Sequence, residues 1–310
     1  MFNNRLEEKW LTEEIDTYKR EIIRNTLESC RLDRGTSRLT LIDAFDSLLG
    51  TFLKKEKGVY KALHDTIFDF LACYLGCTYT YCLIKHAVSE VFMQRCVLNE
   101  MNVIMVMPKF IIIIQRNYHE LFMNRMIQDW YQRRVQCVFH NINMKLHMFR
   151  LKFFTFLSKL DNTSQRQLAH TCDINNNETV LSLCSYLGDI SLVKWCLGLG
   201  VDVNQCDSFG VSPLYISARK GHTKIVKLLL NNKADLDNSI DDGKSPLFVA
   251  RQNNHTDIVR LLLEKGAYYD NCNIKSFSPE QIASENVHND IITLINENSG
   301  KIDHPEDVSS

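Results

Sequence analysis

Four soft side chains, Cys73, Cys77, Cys82 and His86, fall within fourteen residues of one another. Thiolates and an imidazole hold zinc when four of them converge in a tetrahedron, which closely paired ligands such as C-x2-C achieve. The observed C-x3-C-x4-C-x3-H series lacks such a pair and suits packing positions on a helix, so no metal is expected. Gly243-Lys244-Ser245 copies the end of a phosphate-binding loop, whose backbone N–H groups cradle phosphate while the Lys reaches it. Asn238 stands where the first glycine of that loop belongs, and the segment is expected to serve as a turn and helix cap.

Arg134 and His140, in an R-x5-H spacing, loosely resemble the metal-independent ribonuclease motif of HEPN domains, in which the resemblance implies acid/base and phosphate-holding roles. Val135 follows the Arg where that family prefers a polar residue, and a helix-surface reading is favoured. No nucleophile signature of the Ser/His/Asp or Cys/His kind is apparent. No catalytic residue, cofactor or small-molecule substrate is therefore expected. Residues 95–159 hold ten Lys and Arg against three Asp and Glu, interleaved with Tyr118, Trp130, Tyr131 and Phe139. Such a patch suits an anionic partner, nucleic acid included; the competing reading, aromatics in a core and charges on a solvated face, is preferred.

The elements that would position these residues differ between the two halves. Up to residue 177 the balance is 24 Lys and Arg to 19 Asp and Glu; from 178 to 310 it is 12 to 18. All nine Met lie at or before Met148, whereas eight of the twelve Gly lie after residue 177. Met fills irregular helical cores and Gly punctuates turns. The first half therefore reads as packed helices and the second as short elements with regular turns. With 45% hydrophobic and 24% charged residues, the chain fits a folded globular protein and excludes collagen-like, mucin-like and wholly disordered classes. Its longest uncharged apolar stretch, Phe70 to Ile84, is shorter than the roughly 20 residues a bilayer requires. Charges at the very start and an odd, scattered set of eleven Cys argue against secretion. A cytoplasmic location and no membrane are expected.

A period of 33 residues organises the second half. Thr179, Ser212, Ser245 and Ser278 are spaced by it, and Pro213, Pro246 and Pro279 follow three of them. A hydroxyl can cap the first helix while Pro occupies its first turn, where the missing N–H costs nothing. Small residues follow at Cys184, Ser217, Ala250 and Ala283, then Gly-Asp, Gly-His, Asn-His and Val-His, then apolar runs such as IVKLLL (225–230) and IVRLLL (258–263). The pattern resembles the ankyrin repeat, with units at 177–209, 210–242, 243–275 and a polar, degenerate 276–300. Tyr186, Leu187, Val193 and Trp195 in the first unit would be wasted on an open face, so the N-terminal helices are expected to cover it.

Helices are expected over 4–29, 38–55, 58–76, 79–100, 117–137 and 142–160; Ile111 to Ile114 fit a buried helix or a buried strand equally. GVYKALHDTIFDFLA (58–72), CLIKHAVSE (82–90), QRQLAHTCDI (165–174) and LCSYLGDISLVKWCLGLGVDVNQCD (183–207) look like the segment joining a STAND-type P-loop NTPase to its ankyrin array in large molluscan proteins. That resemblance implies a helical relay unit, winged-helix-like in part, here without the NTPase. The expected architecture is all-α: a helical domain over 1–160, a connector over 161–177, an ankyrin solenoid over 178–300 and a disordered acidic tail over 301–310.

The ankyrin resemblance implies a concave face built from loop tips and first-helix ends. It maps onto Ser208, Phe209, Val211, Arg219 and Lys220 in one repeat and Asp241, Asp242, Lys244, Gln252 and Asn253 in the next. The expected function is a non-enzymatic protein-protein interaction module or scaffold, with other proteins as partners. The alternative is the regulatory part of a STAND-type signalling ATPase, and a nucleic-acid-binding helical domain ranks below both.

Overall fold

The computed structural model describes residues 6–7, 53–56, 59–62, 80–99, 111–241 and 243–267. Most of the helices expected over 4–29, 38–55 and 58–76 lies outside them, as do the last repeat and the tail. The chain divides into two compact units, Met1–Phe156 and Leu157–Ser310, and is mostly helical, with the repeats in the second.

Five described pieces of the first unit are strands, three of them in one sheet. β1 (Leu6–Glu7) and β2 (Leu53–Glu56) flank β3 (Val59–Ala62) in an antiparallel sheet, with Lys55 opposite Tyr60. This corrects the start of the helix expected over 4–29, the end of that over 38–55 and the start of that over 58–76. The stretch expected as one helix over 79–100 is α1 (Thr80–His86), α2 (Ser89–Arg95) and β4 (Cys96–Leu98). The open choice at the isoleucines resolves as β5 (Ile112–Ile114), paired parallel with β4 so that Val97 faces Ile113. α3 (His119–Tyr131) and α4 (Val135–Phe139) divide the expected 117–137 helix at Arg133, whose φ is +61°. α5 (His147–Leu157) follows.

Long side chains on these helices supply the core. Trp130 packs edge-on to Phe139 at 5.0 Å and stacks with Phe153 at 6.2 Å; Phe149 joins Phe153 to Phe122, which meets Phe92 at 4.5 Å. All six are fully buried, each removing about 150–250 Å² from water. Two polar side chains tie the pieces together. Buried Arg125 on α3 pairs with Asp129 at 3.1 Å and donates to the carbonyls of Ile84 and Ala87 at 2.7 and 2.9 Å, closing the end of α1. Asn143 donates to the Cys96 carbonyl and accepts from the Leu98 N–H, at 2.7 and 3.1 Å, so its amide acts as a strand partner for β4.

The second unit opens with α6 (Asn162–Ala169), capped by Asp161, within the stretch expected to be a connector. Three helix pairs follow: α7 (Val180–Leu187) with α8 (Ile190–Gly198), α9 (Pro213–Lys220) with α10 (Thr223–Asn231), and α11 (Pro246–Gln252) with α12 (Thr256–Glu264). The first helices of the pairs pack side by side, as do the second helices. The capping expected from the hydroxyls is present. Thr179, Ser212 and Ser245 accept from the N–H of Ser182, Tyr215 and Phe248 at 3.0, 3.1 and 3.2 Å. Leu214, Ile216, Ile225, Val226 and Leu229 are buried, as are Leu247, Val249, Ile258, Val259 and Leu262. Each contributes about 1.5–3 kcal/mol by leaving water. No pair buries both of its faces alone, so each depends on its neighbours.

Candidate functional site

Hairpin-like connections between helix pairs place the loop residues, and Asp207 builds the tip that carries Phe209. Asp207 Oδ1 accepts the N–H groups of both Phe209 and Val211 at 2.9 Å. Gly210, with φ +75°, completes the turn; a Cβ there would lie 3.2 Å from the Ile240 backbone. Successive tips are linked through the main chain: Ser208 N–H donates to Asn176 O at 2.8 Å, and Asp241 N–H to Phe209 O at 3.4 Å. On this clamped backbone the Phe209 ring is 59% exposed, and so is Ile174 on the preceding tip. Ser208 and Asp241 are exposed, Val211 and Lys244 half-buried. Asp242 lies outside the described residues.

The ends of the first helices carry the remaining candidates. Arg219, Lys220, Gln252 and Asn253 are exposed. Lys220 Nζ sits 4.2 Å from the centroid of the Tyr186 ring in the preceding repeat, and Asn253 Nδ2 donates to Val249 O at 2.8 Å. The helix ends are closed by the next repeat. His222 Nε2 bonds Tyr186 O and His255 Nε2 bonds Arg219 O, each at 3.2 Å, as Nε2-protonated rings. Burial holds the His222 imidazole below its ordinary pKa, with the nearby charge of Lys220 adding to the effect and the Tyr186 carbonyl opposing it. Gly188 and Gly221, both left-handed, admit these rings: a Cβ on either would lie 2.6 Å from the histidine Cε1.

Asp207 and Ile174 escape a search for unlike positions between repeats. Asp207 acts through its own loop backbone, and Ile174 precedes the first helix pair in the stretch read as a connector. The Asx turns have a signal in the repeated Asp202-x-Asn204 and Asp235-x-Asp237, where each Asp accepts the N–H two residues on.

The other candidates take structural positions. Gly243, with φ +75°, turns the tip while Ser245 caps α11, so Gly243-Lys244-Ser245 belongs to the repeat framework. Arg134 and His140 flank α4 at its two ends, about 9 Å apart along the axis and about a third of a turn out of phase. Arg134 bonds Ser89 Oγ at 2.9 Å and lies 3.9 Å from Asp129. Trp130 and Phe139 of the basic stretch are core, and Arg125 is committed inside; Tyr131 is exposed. Cys73 and Cys77 lie outside the described residues, and Cys82 is buried in α1. Among the described residues no three His, Cys, Asp or Glu group as metal ligands, and no helix is long and apolar enough to cross a membrane.

Capped helix pairs stacked at a fixed period, with linked tips along one side, define a helical repeat solenoid. A family model described as ankyrin repeats (3 copies) matches residues 181–276 and 234–304. The chain carries ankyrin repeats, and these indicate a protein-protein interaction module. No curated protein matches the chain.

Proposed function

We propose that the protein is a non-enzymatic scaffold that holds a protein partner on the concave face of its repeats, through Ser208, Phe209, Val211, Arg219, Lys220, Asp241, Asp242, Lys244, Gln252 and Asn253. Ankyrin repeats are typically non-enzymatic. The observation that carries the reading is Phe209. It is an aromatic side chain 59% exposed on a tip whose backbone is held by Asp207 and joined to Asp241. Apolar surface of that size gains by leaving water, and a rigid mount lowers the entropy lost on binding. Aromatic and Arg anchors tend to dominate interface energies.

The test is the combined change Phe209→Ser, Arg219→Glu and Lys220→Glu in the whole chain. The thermal midpoint should stay close to wild type, since surface substitutions usually fall within about 0.5 kcal/mol each, while affinity capture of cellular partners is lost. Retention of the full partner set by this variant, with loss on changing exposed Lys224 and Lys227 of α10, refutes the assignment.

A further inference from the structure

Among the described helix pairs of the array, only the first sets a thiol on each of its two helices. Cys184 of α7 stands where the next two repeats carry Ser217 and Ala250, and Cys196 of α8 where they carry Leu229 and Leu262. A larger residue at one position and a smaller one at the other keep the filled volume similar, and a thiol packs as a small apolar group. Packing alone does not call for two thiols in contact. Both side chains are fully buried, and Cys196 Sγ donates to Cys184 Sγ at 4.0 Å. A disulfide bond is about 2.0 Å long, so each sulfur has about 1 Å to travel toward a partner it already touches. The closed repeat keeps the pair reduced. Burial first, then the Cys196 thiol and the charge of Asp189, hold the Cys184 thiol above its ordinary pKa, and the thiolate is the form that attacks oxidants. Cys172 and Cys206 lie half-buried in the loops, where they accept from Gln205 Nε2 and Asn238 Nδ2 at 3.4 and 3.1 Å.

We propose that Cys184 and Cys196 form a redox latch across the first repeat, closed to a disulfide by hydrogen peroxide that reaches them when the helix pair opens. The place of opening follows from the array. This is its first helix pair, held on the outer side by α6 through the Trp195 Nε1–H to Gln165 Oε1 bond, and a repeat stacked on one neighbour of its own kind opens more readily than one between two. Once exposed, one thiol loses its proton and its sulfur attacks the peroxide. The O–O bond breaks, leaving a sulfenic acid on the protein and releasing water. The second sulfur then attacks the sulfenic sulfur; the S–O bond breaks and the hydroxyl leaves as water with the second thiol's proton. Two thiols and one peroxide thus give one disulfide and two waters, with two electrons passing from sulfur to oxygen. Reclosure buries the disulfide away from reductants, and the link between α7 and α8 restricts the opened chain, so the oxidised repeat opens less readily.

The test treats the full chain with hydrogen peroxide and maps its disulfides by mass spectrometry of the unreduced digest. A Cys184–Cys196 link should form, the melting temperature should rise by roughly 5 °C or more, and dithiothreitol should reverse both. Sub-denaturing urea should speed the reaction, because opening precedes it. Cys172→Ser with Cys206→Ser should keep the link and the rise. Cys184→Ala should lose both; Ala is the residue of the third repeat at this position. If that variant loses its helical signal, Cys184→Ser, the residue of the second repeat, takes its place. Cys184 and Cys196 still free after Cys172 and Cys206 have been oxidised overturn the proposal. So do a link from either thiol to a different cysteine in place of their own, a link without a rise in melting temperature, and a rate that urea leaves unchanged.

Discussion

His222 links repeats through a single hydrogen bond and so makes stability depend on pH. Its folded pKa is depressed below the ordinary 6.5 by burial first, so the unfolded chain binds the proton more readily than the folded one. The sign follows: this contribution is intact above about pH 6.5 and is lost as pH falls below it. Urea midpoints measured from pH 7.5 to 5.5 should decline, and the decline should be shallower in His222→Asn. Arg125 is the corresponding residue of the first unit. Arg125→Met leaves buried Asp129 with Ser89 and the more distant Arg134 and frees the carbonyls of Ile84 and Ala87. Removing one partner of a buried pair costs about 3–5 kcal/mol, which equilibrium unfolding followed by tryptophan fluorescence would read.

At the scale of elements, the turn between paired helices is the most constrained point of each repeat. Gly188 and Gly200 both have positive φ, +71° and +81°, but only Gly188 faces a histidine ring; nothing lies within 4 Å of a Cβ placed on Gly200. Left-handed backbone costs a side chain about 1–2 kcal/mol. Gly200→Ala should lose about that much, and Gly188→Ala clearly more because the His222 ring must also move. Equal melting temperatures for the two variants would show that the ring yields freely. Asn254 occupies the same place in the third repeat with φ +59°, a conformation Asn tolerates better than most residues.

For the whole molecule, the cover on the first repeat is the decisive feature. Tyr186, Leu187, Val193 and Trp195 imply that something lies against them. In the second unit Trp195 Nε1–H donates to Gln165 Oε1 of α6 at 2.8 Å. The stretch read as a connector therefore takes part in the repeat unit through its own helix. A fragment of residues 157–310 should melt at a higher temperature than one of 178–310, which lacks α6, because an uncapped end repeat frays and passes its loss to its neighbours. Matching calorimetric midpoints would contradict this role.

The repeats were legible because each unit restates the same local physics: a hydroxyl at the N-cap, Pro in the first turn, apolar residues at helical spacing and a left-handed turn. These signals act over a few residues and recur every 33. The exposed tip residues were partly legible as unlike positions within the period, but the Asp207 clamp and the helix-end histidines depend on backbone geometry that no single residue type announces. The first unit resisted reading for another reason. The apolar runs around Leu53, Cys96 and Ile112 have helical and strand readings alike. Which one forms depends on partners far along the chain, such as Ile112 for Cys96 and the Asn143 amide for Leu98. Composition and period determined the repeat architecture by themselves; pairing, and the buried polar groups that make pairing affordable, were decided only by the tertiary structure, because a strand's hydrogen bonds are completed by residues outside its own segment.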